Sequence, residues 1–167
     1  MKPSPPAVMR RRATPATTAA ERAGIAFAVH EYRHDPAAAS FGLEAAAALG
    51  LDPARVYKTL IARVDGATLV VAIVPVAARL NLKALAAATG GRKAELADPA
   101  DAERATGYVV GGISPLGQRK RLPTVVDAGV LRHETVYVSA GRRGLELELA
   151  PADLIALTGA TTAPIAQ

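Results

Sequence analysis

Lys58 stands out against its surroundings, the segment Val56-Tyr57-Lys58-Thr59-Leu60-Ile61-Ala62. In a strand it shares a face with Val56, Leu60 and Ala62, all apolar. An ammonium group in that position must reach water, lie on a sheet edge or meet an anion. One reading is an edge-strand charge that prevents sheet-to-sheet association; the other is a partner for a phosphate or carbonyl oxygen in a cleft. A second chemical candidate is Gly111-Gly112, followed by Ser114-Pro115, Gly117 and the run Arg119-Lys120-Arg121. Backbone N–H groups released at such a turn can converge on an anion, with Arg and Lys adding charge. The same residues also read as a glycine-rich hairpin loop with a solvated basic end.

Other chemistries find little support. The chain has no cysteine, which removes disulfides, thiolate metal ligands and a cysteine nucleophile. Its three histidines, His30, His34 and His133, lack HxxxH or HExxH spacing, so no metal or other cofactor is expected. None falls in a glycine loop, and no Ser-His-Asp arrangement emerges. Asp127 reads more simply as a strand-end acid than as the partner of a base.

Charge narrows the partners. The net charge is +5, yet Lys2, Arg10, Arg11 and Arg12 supply four of the positive charges, and residues 1–12 hold no acid. The rest of the chain is close to balanced. Affinity for RNA would therefore rest on local patches, Arg119-Lys120-Arg121 and Arg142-Arg143, instead of on a general field. Residues 1–12, with three prolines and an Arg cluster, read as a disordered basic extension. The longest apolar run, Leu69 to Ala78, is short for a bilayer and is broken by Pro75. No secretory h-region follows the basic N-terminus. A cytoplasmic protein with no membrane partner is expected.

The elements that must position these residues alternate irregularly. Thr14-Pro15 opens a helix that Gly24 closes, and Ile25–Tyr32 reads as a strand. A helix is expected from Ser40 to Gly50, and a hairpin from Val56–Arg63 through Asp65-Gly66 to Thr68–Val74. Asn81–Thr89 reads as a helix, Arg92–Leu96 as a strand, and Asp98-Pro99 caps a helix to about Ala105. Tyr108–Val110 reads as a short strand entering the glycine loop; Thr124–Asp127 and Glu134–Ser139 read as strands after it. In Leu145-Glu-Leu-Glu-Leu149 strict alternation places the leucines inward and Glu146 and Glu148 outward. A last helix spans Pro151 to Thr158. The pattern predicts a single α+β (mixed α/β) domain over residues 13–162, with a curved, barrel-like mixed β-sheet flanked by helices.

Several blocks carry a family resemblance in register. Gly107-Tyr-Val-Val-Gly-Gly-Ile-Ser-Pro-Leu-Gly-Gln-Arg-Lys-Arg-Leu-Pro-Thr124 resembles the signature of the YbaK-type editing deacylases, free-standing relatives of the prolyl-tRNA synthetase editing domain. His30-Glu-Tyr-Arg-His-Asp-Pro36, Phe41-Gly42, Val56-Tyr-Lys-Thr-Leu60, Glu95-Leu-Ala-Asp98 and Tyr137-Val-Ser-Ala-Gly-Arg-Arg-Gly-Leu145 extend the likeness over roughly Thr14 to Ala160. The resemblance implies that Lys58 is the lysine needed for activity, and that Tyr32, Phe41 and Thr59 wall an aminoacyl pocket. It further implies that Gly111, Gly112 and Ser114 line the end where the ester sits, and that Ser139 and Gly141 belong to a second loop at the same cleft. One departure is Leu43, where related sequences carry an aspartate.

The activity implied is hydrolysis of mischarged Cys-tRNA(Pro), with the substrate's own thiol attacking its ester. The mischarged tRNA(Pro) would be the partner, with prolyl-tRNA synthetase a second candidate and the protein a monomer or homodimer. A related substrate such as Ala-tRNA(Pro), or a non-catalytic module binding RNA ends or nucleotides, are the alternatives. Catalytic turnover of a mischarged tRNA separates them.

Overall fold

The computed structural model describes residues 13–38 and 40–167; the expected basic extension lies outside the described residues. Local signals set most element boundaries. Helix α1 (Pro15–Ala23) starts at a reciprocal box between Thr14 and Thr17, whose side chains each accept from the other's backbone N–H. After β1 (Phe27–Glu31), Ser40 caps α2 (Phe41–Leu49) by accepting from the Leu43 amide. A 3₁₀ turn (Pro53–Arg55) leads into β2 (Tyr57–Val64). Asp65 (φ 53°) and Gly66 (φ 67°) are both left-handed and, with Ala67, whose amide donates to the Val64 carbonyl, form the three-residue connection into β3 (Thr68–Pro75). The Asp65 carboxylate accepts from the Arg92 and Lys93 amides, tying this turn to the following segment.

The chain continues with α3 (Leu82–Ala88), β4 (Ala94–Leu96), α4 (Pro99–Thr106) and β5 (Thr124–Asp127). A second 3₁₀ turn (Ala128–Arg132) precedes β6 (Val136–Arg142), β7 (Leu145–Leu149), α5 (Pro151–Thr158) and β8 (Thr161–Ala163). The expected α+β mixture is present, divided into two sheets. One is a mixed sheet in the order β4-β2-β3-β5-β8; the other is antiparallel, β1-β7-β6. An isolated parallel bridge between Val56 and Tyr137 links them.

Alternation on β3 shows how the core is shared. Val71 and Ile73 enter the main cluster with Ile61, Val126, Val138 and Leu147. Val70, Ala72 and Val74 face the opposite way, against Leu85 of α3 and Ile165. Burial on both faces explains why Leu69–Val74 is a continuous apolar run. Asp127 proves structural: one carboxylate oxygen accepts from the Ile165 and Ala166 amides and the other from Gly129. It anchors the segment after β8.

Two expectations need correction. Tyr108–Val110 is not a strand but part of an irregular loop from Gly107 to Pro123. Tyr108 is buried and its hydroxyl donates to the Leu116 carbonyl at 2.6 Å, while Gly112 donates to Val109. These bonds turn the chain back on itself. The Arg119 and Lys120 amides then donate to the carbonyls of Thr106 and Ala105, satisfying the end of α4.

The second correction concerns β7. Its alternation is as read, with Leu145, Leu147 and Leu149 in the core. Glu148 is half-buried and bonded to His30 and Thr135. Glu146, however, is not on the outside; it is only 7% exposed. The second face of this strand is covered at Glu146 by the elements that build the site.

Candidate active site

The cleft arises where β2 loses its neighbours. β4 pairs only with Ala62, Arg63 and Val64, and the bridge to Tyr137 is at Val56. Among the described residues, Tyr57–Leu60 therefore has no strand partner on the side away from β3. Along this open edge lies a cavity of about 410 Å³. Lys58, Thr59 and Ile61 line one wall, Tyr32, Phe41 and Gly42 another, and Ser139 and Glu146 come from the second sheet. Leu96, Ala97 and Ala102 close the β4–α4 side, while Val110, Gly111 and Ile113 come from the glycine loop.

Three polar groups give this mostly apolar cavity its chemistry. Lys58 is half-buried, and no carboxylate pairs with it among the described residues. Burial, with Arg79 as a nearby like charge, pulls its ammonium below the ordinary lysine range. Glu146 is buried and its Oε2 has no hydrogen-bond partner. Desolvation pushes this carboxyl up to about 8, so it is largely protonated at neutral pH. The Thr59 hydroxyl is also buried without a partner. Unsatisfied buried polar groups are costly, so two in one cavity mark a place prepared for a polar ligand.

Of the residues expected at the site, Tyr32, Phe41, Lys58, Thr59, Gly111 and Ser139 line the cavity together. Gly112, Ser114 and Gly141 do not. Gly112 packs against the backbone of the β6–β7 hairpin, where an added Cβ would lie 2.7 Å from the Arg142 Cα. Ser114 is fully buried and its hydroxyl accepts from the Leu116 amide. Gly141 lies against Tyr108 and Thr14, and its amide donates to the Ser139 hydroxyl at 3.1 Å. These three shape the loops behind the wall.

Arg142 and Arg143 line a second, shallower hollow of about 440 Å³ with Arg33, His34, Gly144, Tyr32 and one acid, Glu31. Tyr32 is common to both cavities, so they adjoin. Burial raises its phenol above the ordinary range. Arg119, Lys120 and Arg121 are exposed and line neither cavity. Leu43 is exposed and also lies outside both. The neighbouring acid, Glu44, accepts from the Asp35 amide and meets His34 Nδ1 at 2.7 Å, pinning the loop before α2.

Glu146 is the residue that the sequence reading missed. The signal was hairpin register: Ser139 pairs directly with Glu146 across β6 and β7. A site assignment for Ser139 therefore brought Glu146 with it. Among the described residues, no group of three or more His, Asp or Glu is placed to hold a metal. No helix among them is long and apolar enough to cross a membrane.

Comparison with known proteins settles the lineage. The aminoacyl-tRNA editing domain model matches residues 35–157. The chain belongs to this family. It is 39% identical over 120 residues to a protein of Enterococcus faecalis provisionally named Cys-tRNA(Pro)/Cys-tRNA(Cys) deacylase EbsC, covering 72% of this chain and 73% of that one. A solved structure described as a provisional trans-editing enzyme for prolyl-tRNA synthetase superposes with a TM-score of 0.80 at 28% identity, covering 99% of both chains. The crystal structure of hypothetical protein APE2540 gives a TM-score of 0.82 at 27% identity over 92% of this chain and 100% of that one. Within the editing-domain family, the matched span contains Phe41, Lys58, Thr59, Gly111, Ser139 and Glu146.

Proposed function

We propose that this protein is a free-standing aminoacyl-tRNA editing deacylase that clears Cys-tRNA(Pro). The observation that carries the reading is a cavity of about 410 Å³ lined by Lys58, Glu146 and Thr59, in which Glu146 Oε2 and the Thr59 hydroxyl have no hydrogen-bond partner among the described residues, adjoining a hollow with three arginines and one acid. An aminoacyl ester supplies what these groups lack. Its α-ammonium pairs with Glu146, which gives up its proton when the cation arrives. Its carbonyl oxygen gains negative charge during cleavage, and the Lys58 ammonium stabilises it. Thr59 bonds a polar atom of the aminoacyl group.

The thiol of the substrate attacks its own ester carbonyl. A carbon–sulfur bond forms, the bond to the ribose oxygen breaks, and the proton lost from the thiol ends on that oxygen as tRNA leaves. Water then opens the cyclic thioester. No protein nucleophile is required, so the protein contributes orientation, which is worth on the order of 7–11 kcal/mol in well-aligned intramolecular cases. Such an enzyme is needed because a hydrophobic pocket separates near-isosteres by only roughly 10–200-fold. A synthetase that accepts proline therefore also accepts cysteine. The cytoplasm is the compartment where this task arises, and a transient complex with prolyl-tRNA synthetase suits it.

The test is single-turnover release of amino acid from a panel of tRNA(Pro) charged with Cys, Ala or Ser, and with an S-methylated cysteinyl ester. Fast release from the Cys ester and slow release from the blocked thiol are expected. Equal rates for free and blocked thiols would show that water or a protein group attacks. Retention of every substrate without turnover would leave a binding module.

A further inference from the structure

Between the two cavities lies a strap that the deacylase reading does not yet use. The Arg143 guanidinium lies 3.8 Å from the centroid of the Phe41 ring. Its Nη2 donates to the Val110 carbonyl at 2.8 Å. Phe41 is backed on its other contacts by His34, with ring centroids 5.9 Å apart, and His34 is held by Glu44. The arrangement depends on Gly111, at φ 93°: a Cβ there would fall 2.5 Å from Arg143 Nε and 2.8 Å from Phe41 Cδ2. Three separate elements, α2, the glycine loop and the β6–β7 hairpin, thus meet to hold one guanidinium over the Phe41 ring. That is more organisation than an arginine contacting phosphate needs.

The strap's position is informative. Phe41 and Val110 line the inner cavity, whereas Arg143 lines the outer hollow with Arg33 and Arg142. Arg143 is exposed, so its side chain reaches solvent while lying over the Phe41 ring. Among the described residues no carboxylate pairs with it. An oriented guanidinium on an exposed side chain beside an ester pocket matches the way unpaired RNA ends are held, with bases stacked on aromatic rings or Arg planes. We propose that Arg143, held over the Phe41 ring and bonded to the Val110 carbonyl, is the stacking platform for the terminal nucleobase of the tRNA 3′ end. The aminoacyl group then enters the inner cavity, and the preceding phosphates follow Arg33 and Arg142. This inference rests on the deacylase reading and specifies how its substrate is seated.

The experiment compares single-turnover deacylation of Cys-tRNA(Pro) ending in adenosine with the same RNA ending in an abasic ribose. Each is tested with wild type and with Arg143→Lys, which keeps the charge and loses the plane. Wild type should lose roughly tenfold or more when the base is removed, the scale of one stacked base. Arg143→Lys should cleave the two substrates within about twofold of each other. Indifference of wild type to the base, or full base dependence in Arg143→Lys, overturns the inference while leaving the deacylase reading intact. Failure of wild type to cleave the intact substrate overturns the deacylase reading and this inference with it. Should Arg143→Lys melt early, uncharged tRNA with terminal 2-aminopurine gives a direct readout with wild type. Saturable quenching is expected, and unchanged fluorescence refutes the stack.

Discussion

Two side chains in the cavity, Glu146 and Lys58, have their ionisation shifted by burial, and each makes a separate prediction. Glu146 is raised by burial from 4.5 to about 8. Between those values the folded protein binds more protons than the unfolded chain, so stability falls as pH rises through that window and levels off above it. The loss is on the order of 4–5 kcal/mol if the whole shift is realised. Glu146→Gln removes the ionisation while preserving the size. Its melting temperature should therefore decline less than that of wild type between pH 5 and pH 8.5, with a lower deacylation rate. Parallel melting curves for the two proteins would show that Glu146 does not titrate as its burial requires. For Lys58 the expectation is reversed: function without stability. Lys58→Ala should melt like wild type, because the ammonium has no carboxylate to lose. Deacylation should fall about 100-fold, as for removal of one preorganised donor. Lys58→Arg should restore little, since a planar guanidinium does not replace a compact ammonium. Near-normal turnover by a folded Lys58→Ala would return this residue to the role of an edge charge.

At the level of elements, the glycine loop shows two close approaches with different consequences. At Gly112 the neighbour is backbone, the Arg142 Cα at 2.7 Å from a built Cβ. At Gly111 it is the end of the Arg143 side chain and the Phe41 ring. Gly112→Ala must displace the β6–β7 hairpin, so a stability loss of about 1–3 kcal/mol or more is expected, as for overpacked sites. Gly111→Ala meets a side chain that can swing away. Its cost should be the strained φ, roughly 1–3 kcal/mol, together with a disproportionate loss of activity as the strap is pushed aside. Denaturant melts and single-turnover rates on both variants check this; equal loss of activity per unit of stability would mean that the strap is only structural. The same elements show what sequence could and could not convey. Ser40, Asn81 and Asp98 each cap their helix through bonds within three residues, so local pattern sufficed. The Asp65-Gly66 turn was equally local. Tyr108 looked like the start of a strand because its neighbours are β-formers. A bond from its hydroxyl to Leu116 decided otherwise, and such a contact depends on the folded loop. Glu146 was misplaced for a related reason: alternation fixes which residues share a face, but not whether another element covers that face.

Over the whole molecule, the proposed RNA contacts divide between two separate basic surfaces. The two basic patches read from the sequence serve different places. Arg142 and Arg143 border the hollow beside the ester cavity, with Arg33. Arg119, Lys120 and Arg121 lie where the glycine loop returns to the end of α4, and the Arg121 guanidinium sits against Gly159 at the end of α5. Residues 13–167 are nearly balanced in charge even with both patches counted in, so neither patch is embedded in a broad positive field. Each phosphate neutralised contributes about 0.7 to the slope of log K against log salt on a single strand, and about 0.9 on a duplex. On the proposed reading, a short single-stranded oligonucleotide ending in CCA occupies only the hollow. Its salt slope should fall by about 0.7 in Arg142→Ala and stay unchanged in a triple Ala variant of Arg119, Lys120 and Arg121. Full-length tRNA(Pro) carries a duplex acceptor stem and can reach beyond the cleft, so its slope should fall in both variants. Fluorescence anisotropy across a salt series measures all four combinations. If the oligonucleotide lost slope in the triple variant, the loop patch would lie on the path of the 3′ end, and the division of RNA between the two surfaces would be wrong. If full-length tRNA ignored the triple variant, the basic run in the glycine loop would be a solvated turn whose backbone, not its charge, serves the fold.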